Sequence, residues 1–207
     1  MNTKVYTAGK KPEQAQKALI MVHGRGGSAA DILSLAQHLD VKDYALLAPQ
    51  APQHSWYPYS FLALPSDNEP ALSSALAALS ETVKEAETAG IGKEHIYFLG
   101  FSQGACLTLE FVARNAAKYG GVIAFTGGLI GDKIYKENYK GDFQQTPVFI
   151  GTSDPDPHVP VERVLSPTAV LRKMNASVLE KVYPMMGHTI TAEEMRQAEQ
   201  WVLNRKP

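Results

Sequence analysis

Short, nearly continuous apolar runs alternate along this chain with longer segments in which apolar positions recur at helical spacing. The runs are Ala18–Val22, Tyr44–Ala48, Ile96–Leu99, Val122–Phe125, Val148–Ile150 and Val178–Tyr183. A strand that is apolar at successive positions is buried on both faces, as in a parallel sheet covered by helices on either side. The helical segments between the runs are Ala30–Leu39, Leu72–Ala89, Gln103–Lys118, Val161–Asn175 and Ala192–Asn204. Pro167 interrupts the fourth, predicting a kink or a fresh helix start after Ser166. The last opens on "TAEE", where Thr191 is placed to cap the amide of Glu194 and Glu194 to reach back, a capping box. The alternation predicts an α/β architecture, a mostly parallel central sheet with helices on both faces.

Composition sharpens this picture only a little. The 207 residues, 44% hydrophobic and 20% charged, show no repeat, low-complexity tract or compositional break, so residues 1–207 read as one domain. A net charge of -1 provides no basic footprint, and nucleic acid is not expected as a partner. The opening "MNTKVYTAGKKPEQAQK" lacks the apolar core of a signal peptide, and no run of about eighteen apolar residues occurs. A cytoplasmic protein without stable membrane insertion is therefore expected. The only cysteine, Cys106, excludes an internal disulfide and a multi-cysteine metal site, and reads as a small buried hydrophobe.

The chemistry concentrates in "LGFSQGA", where Gly100 and Gly104 flank Ser102 two residues away on each side. A strand that turns at once into a helix brings two backbones together where a Cβ would clash, and it strains the central residue. The turn lifts the serine hydroxyl clear of the sheet edge and aims the amides of a helix N-terminus at whatever the hydroxyl attacks. Ser102 is thus the candidate nucleophile.

A serine hydroxyl needs a base, and the base needs a carboxylate to hold its tautomer; in a site of this kind both come later in the chain. Of six histidines only His158 and His188 follow Ser102, and His188 lies between the last strand and the capped last helix. That position favours His188, with His158 a loop residue nearby. His23 reads as a buried hydrogen-bonding residue supporting a glycine loop, and His38, His54 and His95 as ordinary surface or strand-edge positions. The acid belongs in "GTSDPDPHVPVERV", after the strand that ends near Ile150, and spacing alone leaves Asp154 and Asp156 equal. No metal is required.

Oxyanion donors are expected from the amide of Gln103, the residue after the nucleophile, and from "HGRGGS", where the amide of Arg25 is the best placed. The side chain of Arg25 either steers anionic groups or is simply solvated. The loop is neither a dinucleotide fingerprint nor a Walker sequence. The segment "SWYPYSFLALPSDNEP" is too apolar for an open loop, and Trp56, Tyr57, Phe61 and Leu62 are the candidate walls of a substrate pocket. Packing on the sheet edge, or a contact between two copies in a homodimer, is the other use of such a stretch.

Taken together, "HGRGGSAADI", "LLAPQAP", "SWYP", "LGFSQGA", "GTSDPDPHVPVERV" and "YPMMGH" give the chain a resemblance, over nearly its whole length, to the phospholipase/carboxylesterase family of α/β hydrolases. Acyl-protein thioesterases belong to the same family. The resemblance implies hydrolysis of carboxylic esters without a cofactor, here read as esters of small to medium acyl chains, with Ser102 as nucleophile, His188 as base and the Arg25 and Gln103 amides as oxyanion donors. Its Asp-Pro-x-Val-Pro pattern matches Asp156 to Pro160 and so assigns the acid to Asp156, leaving Asp154 as an extra carboxylate. Two departures stand out: the thioesterase branch usually has an apolar residue where Arg25 stands, and "GGS" follows here instead of an acidic residue. The chain is more similar to bacterial carboxylesterases, although thioesterases and lysophospholipases share the same constellation. A binding protein on the same scaffold would have no use for an intact serine, histidine and aspartate set.

Overall fold

The apolar runs become the strands of one sheet in the computed structural model, which describes residues 3–204. Among the described residues seven strands are joined: β1 (Val5–Gly9), β2 (Lys17–Val22), β3 (Tyr44–Pro49), β4 (Ile96–Phe101), β5 (Gly121–Phe125), β6 (Pro147–Asp154) and β7 (Ser177–Pro184). Their order across the sheet is β1, β3, β2, β4, β5, β6, β7, and every pair is parallel except the edge pair of β1 with β3. Among the described residues five α-helices accompany them: α1 (Ala29–Ser34), α2 (Ala71–Thr88), α3 (Gln103–Arg114), α4 (Val161–Lys173) and α5 (Ala192–Ala198).

Burial on both faces is visible residue by residue. In β2, Ala18, Ile20 and Val22 join one core with α2, α3 and α4, while Leu19 and Met21 join a second core with α1 and α5. Both faces being covered, continuous apolar runs are what the strands need.

The elements differ from expectation where tertiary contacts intervene. Strand β1 was not foreseen. Helix α1 ends at Ser34 and tightens into a 3₁₀ turn over Leu35–His38. Its start carries a full capping box: the Ser28 hydroxyl accepts from the Asp31 amide at 3.2 Å and the Asp31 carboxylate accepts from the Ser28 amide at 2.8 Å. Helix α3 stops at Arg114, short of Lys118, because the Asn115 side chain takes the Phe111 carbonyl at 2.9 Å and the Ala116 amide turns to Lys140. Helix α4 runs through Pro167 without a fresh start. The proline leaves the carbonyl of Arg163 without its helical donor, and Gly128 packs on it so closely that a Cβ would come within 2.2 Å.

Only half of the capping box expected at Thr191 closes. The Thr191 hydroxyl accepts from the Glu194 amide at 3.2 Å. The Glu194 carboxylate instead turns inward, fully buried, with neither oxygen closing a hydrogen bond. It packs on β6 at Gly151, where a Cβ would meet Oε1 at 2.1 Å. Burial pushes its pKa up to about 8, against a smaller opposing pull from the nearby Thr191 amide. Beyond Ala198 the last helix widens into a π turn over Glu199–Leu203. No helix among the described residues is long and apolar enough to cross a membrane.

Candidate active site

Strand β4 delivers Ser102 to the carboxyl edge of the sheet and α3 begins at the next residue. Ser102 has φ 53° and ψ -119°, a left-handed backbone costing on the order of 1–3 kcal/mol that the surroundings must hold. They hold it through the Ser102 amide, which donates to Phe125 at 2.9 Å, and the Ser102 carbonyl, which accepts from Cys106 at 3.0 Å. The two flanking glycines are steric requirements. A Cβ on Gly100 would lie 2.5 Å from the Gly104 carbonyl oxygen, and one on Gly104 would lie 2.1 Å from that of Val22.

Two loops at the same edge bring the partners. His188, between β7 and α5, accepts the Ser102 hydroxyl at Nε2 (2.9 Å) and donates Nδ1–H to Asp156 Oδ2 (2.8 Å). The other oxygen, Asp156 Oδ1, accepts the amides of His158 (2.8 Å) and Val159 (2.9 Å). Burial works to raise the Asp156 pKa; the His158 amide, the His188 ring and the Val159 amide outweigh it, and the carboxylate is held below its ordinary range. An ionised Asp156 accepts only, so it places the His188 proton on Nδ1 and leaves Nε2 free to accept. Asp154, the last residue of β6, lies two positions earlier, its side chain exposed and its carbonyl accepting the Met185 amide at 3.1 Å. Ser153 joins the two loops: its hydroxyl donates to the Pro155 carbonyl (3.1 Å) and accepts the Gly187 amide (2.8 Å).

The loop after β2 lies directly against the elbow, since a Cβ on Gly24 would sit 3.4 Å from the Cβ of Ser102. His23 supports that loop from beneath. It is 1% exposed, its Nδ1–H donates to the Gly24 carbonyl at 2.8 Å, its Nε2 accepts the Ala51 amide at 3.1 Å, and burial lowers its pKa so that the ring stays neutral. His54, read as a surface residue, belongs to the same support. Its Nδ1–H donates to the Gly27 carbonyl at 2.8 Å, and its carbonyl accepts the Gly26 amide at 2.7 Å.

The aromatic segment is pinned from both sides. The Gln103 side chain accepts the Trp56 amide (2.9 Å) and donates to the Tyr57 carbonyl (2.9 Å). The Arg25 guanidinium donates to the carbonyls of Tyr57 (3.0 Å), Pro58 (2.8 Å) and Tyr59 (2.6 Å). A cleft of about 440 Å³ opens between these walls. It is lined by Ser102, Gln103 and His188, by Arg25, Tyr57 and Phe61 on one side, and by Cys106, His158 and Val159.

Of the four pocket residues expected, Tyr57 and Phe61 line this cleft, and Trp56 and Leu62 do not. Trp56 is buried with its indole N–H on the His23 carbonyl at 2.9 Å, and Leu62 packs against the core. Cys106 is buried in the cleft floor with its thiol pushed up to about 12 by burial, and its sulfur accepts the Gly128 amide at 3.4 Å. His158 stands edge-on to the His188 ring, centroids 4.8 Å apart. Sequence reasoning missed Ser153, His54 and the pinning roles of the Arg25 and Gln103 side chains. None carries a local pattern.

A serine on a strained strand-to-helix corner, within a mostly parallel seven-stranded sheet, is the arrangement of an α/β hydrolase. The chain belongs to the phospholipase/carboxylesterase family, whose model matches residues 4–204, and is an esterase-type hydrolase. It is 55% identical to a phospholipase/carboxylesterase of Dyadobacter fermentans, with a TM-score of 0.96 over 98% of this chain and 97% of that one. It is 29% identical to acyl-protein thioesterase 1 of Saccharomyces cerevisiae, over 89% of this chain and 91% of the relative. A Bacillus cereus carboxylesterase shares the fold at TM-score 0.80 and 20% identity, covering 98% of this chain and 94% of that one.

Proposed function

We propose that the protein hydrolyses small to medium carboxylic esters through an acyl-enzyme formed on Ser102. The observation that carries this reading is the continuous relay from the Ser102 hydroxyl through His188 to Asp156, at 2.9 and 2.8 Å, with Ser102 on the strained corner. Ser102 Oγ bonds to the ester carbonyl carbon as its proton passes to His188 Nε2. The oxyanion receives the Gln103 and Arg25 amides, and the protonated His188 returns the proton to the leaving alcohol as the C–O bond breaks. Water repeats the sequence: His188 takes its proton, its oxygen bonds to the acyl carbon, and the acid leaves as Ser102 recovers its hydrogen. Asp156 holds His188 in the productive tautomer and stabilises the imidazolium.

The cleft of about 440 Å³ suits a small or medium acyl group. Thioester hydrolysis is the second reading, favoured by the identity with a thioesterase over most of both chains. Residues 1–207 act as one hydrolase domain in this proposal, supported by one sheet and a family match over residues 4–204. The test is turnover of para-nitrophenyl esters of graded chain length, with acyl-CoA thioesters alongside, by the wild type and by Ser102→Ala. Wild-type turnover that falls by at least about a thousandfold in a folded Ser102→Ala variant is the expected result. A folded Ser102→Ala protein that keeps near-wild-type turnover overturns it.

A further inference from the structure

The Arg25 guanidinium carries a charge that nothing in the site balances. Its three hydrogen bonds go to uncharged main-chain carbonyls, and among the described residues it has no ion pair. A guanidinium has five N–H donors, so these bonds leave two for a ligand. They also immobilise the side chain against the 57–59 wall, so the entropy of fixing a flexible arginine is not lost again on binding. The residue lines the cleft that holds Ser102 and His188. Across the lining the only other ionisable groups that can add positive charge are imidazoles. His158 stands edge-on to His188 and spends its amide, not its ring, on Asp156. Among the described residues no carboxylate lines the cleft, and the Asp156 carboxylate behind His188 is committed to His188 and two amides.

Arg25 is solvent-exposed, and a wholly apolar ester seated on this wall would displace part of its hydration without replacing it. A substrate anion would supply the missing partner through a charge-assisted hydrogen bond. We propose that Arg25 is a specificity residue and that the cleft takes carboxylic esters which also bear a carboxylate. One guanidinium matches one monoanionic carboxylate in charge. This inference rests on the esterase reading above and names its substrate class.

The test compares matched pairs on the purified protein. The anion lies on the acyl side in para-nitrophenyl hemiglutarate against para-nitrophenyl pentanoate, and on the alcohol side in para-acetoxybenzoate against para-acetoxybenzamide. In at least one pair kcat/KM should favour the anionic ester by about tenfold to a hundredfold, the ratio expected of one hydrogen bond to a charged group. The preference should shrink as salt is raised. Arg25→Gln should abolish it while Arg25→Lys retains part. Arg25→Gln that slows anionic and neutral esters equally would make the side chain a strap for the wall only. A wild type that favours the neutral ester in both pairs overturns the proposal even if the variants fail to fold. No Ser102-dependent turnover of any ester would instead sink the esterase reading.

Discussion

Asp154 ends β6 and Asp156 follows two residues later in the loop, yet only one carboxylate reaches the His188 ring. Asp156 is locked by three donors, the Nδ1–H of His188 and the amides of His158 and Val159, while Asp154 faces solvent. If Asp156 holds the productive tautomer, Asp156→Asn should lower kcat by about 10⁴, because the amide favours the other tautomer and cannot stabilise the imidazolium. Asp154→Asn should cost less than about tenfold. Both rates would be measured on one activated ester after circular dichroism shows native folding; a crippled Asp154→Asn beside a near-normal Asp156→Asn would reverse the assignment. At this scale Ser102 and His188 were legible because the corner glycines and the loop order are local features. Asp156 was separated from Asp154 only by resemblance. The link from Ser153 to Gly187 and the Arg25 side-chain bonds were invisible, since they span 32 to 34 residues in sequence.

Among the elements, the buried parallel strands were readable because burial on both faces writes an apolar residue at nearly every position. Strand β1 was not, because its residues Tyr6 to Gly9 are exposed and it pairs on one side only. The start of α5 was read from the capping pattern, but whether Glu194 reaches back or turns inward depends on the space that Gly151 leaves on β6. That inward turn has a thermodynamic consequence. With the Glu194 pKa raised to about 8 in the folded protein against 4.5 for the free side chain, the unfolded chain loses its proton first as pH rises. Stability from this group is therefore complete below about pH 4.5, falls between about pH 4.5 and 8, and levels off above, a change on the order of a few kcal/mol. Glu194→Gln removes that titration. Thermal melts at pH 6 and pH 9 should show Tm falling by several degrees more in the wild type than in Glu194→Gln. Equal falls in the two proteins would mean that Glu194 ionises without penalty.

For the whole molecule, the sheet does one thing for function: it brings four distant loops to its carboxyl edge. The turn after β4 carries Ser102, the loop after β6 carries Asp156, the loop after β7 carries His188, and the loop after β2 lies against the elbow. The aromatic segment 55–61 forms one wall, held there by the side chains of Gln103 and Arg25 among others. These long-range pins explain why the segment's composition announced a wall but could not say which of its residues would face the cleft. If this edge makes Ser102 a nucleophile, a fluorophosphonate should label it stoichiometrically, the site being located by mass spectrometry of the digested protein. One phosphonyl group per chain on Ser102, slow labelling of Asp156→Asn and none of Ser102→Ala are the expected results. Ester hydrolysis by a protein that takes no label at Ser102, or takes it on another residue, would contradict that role.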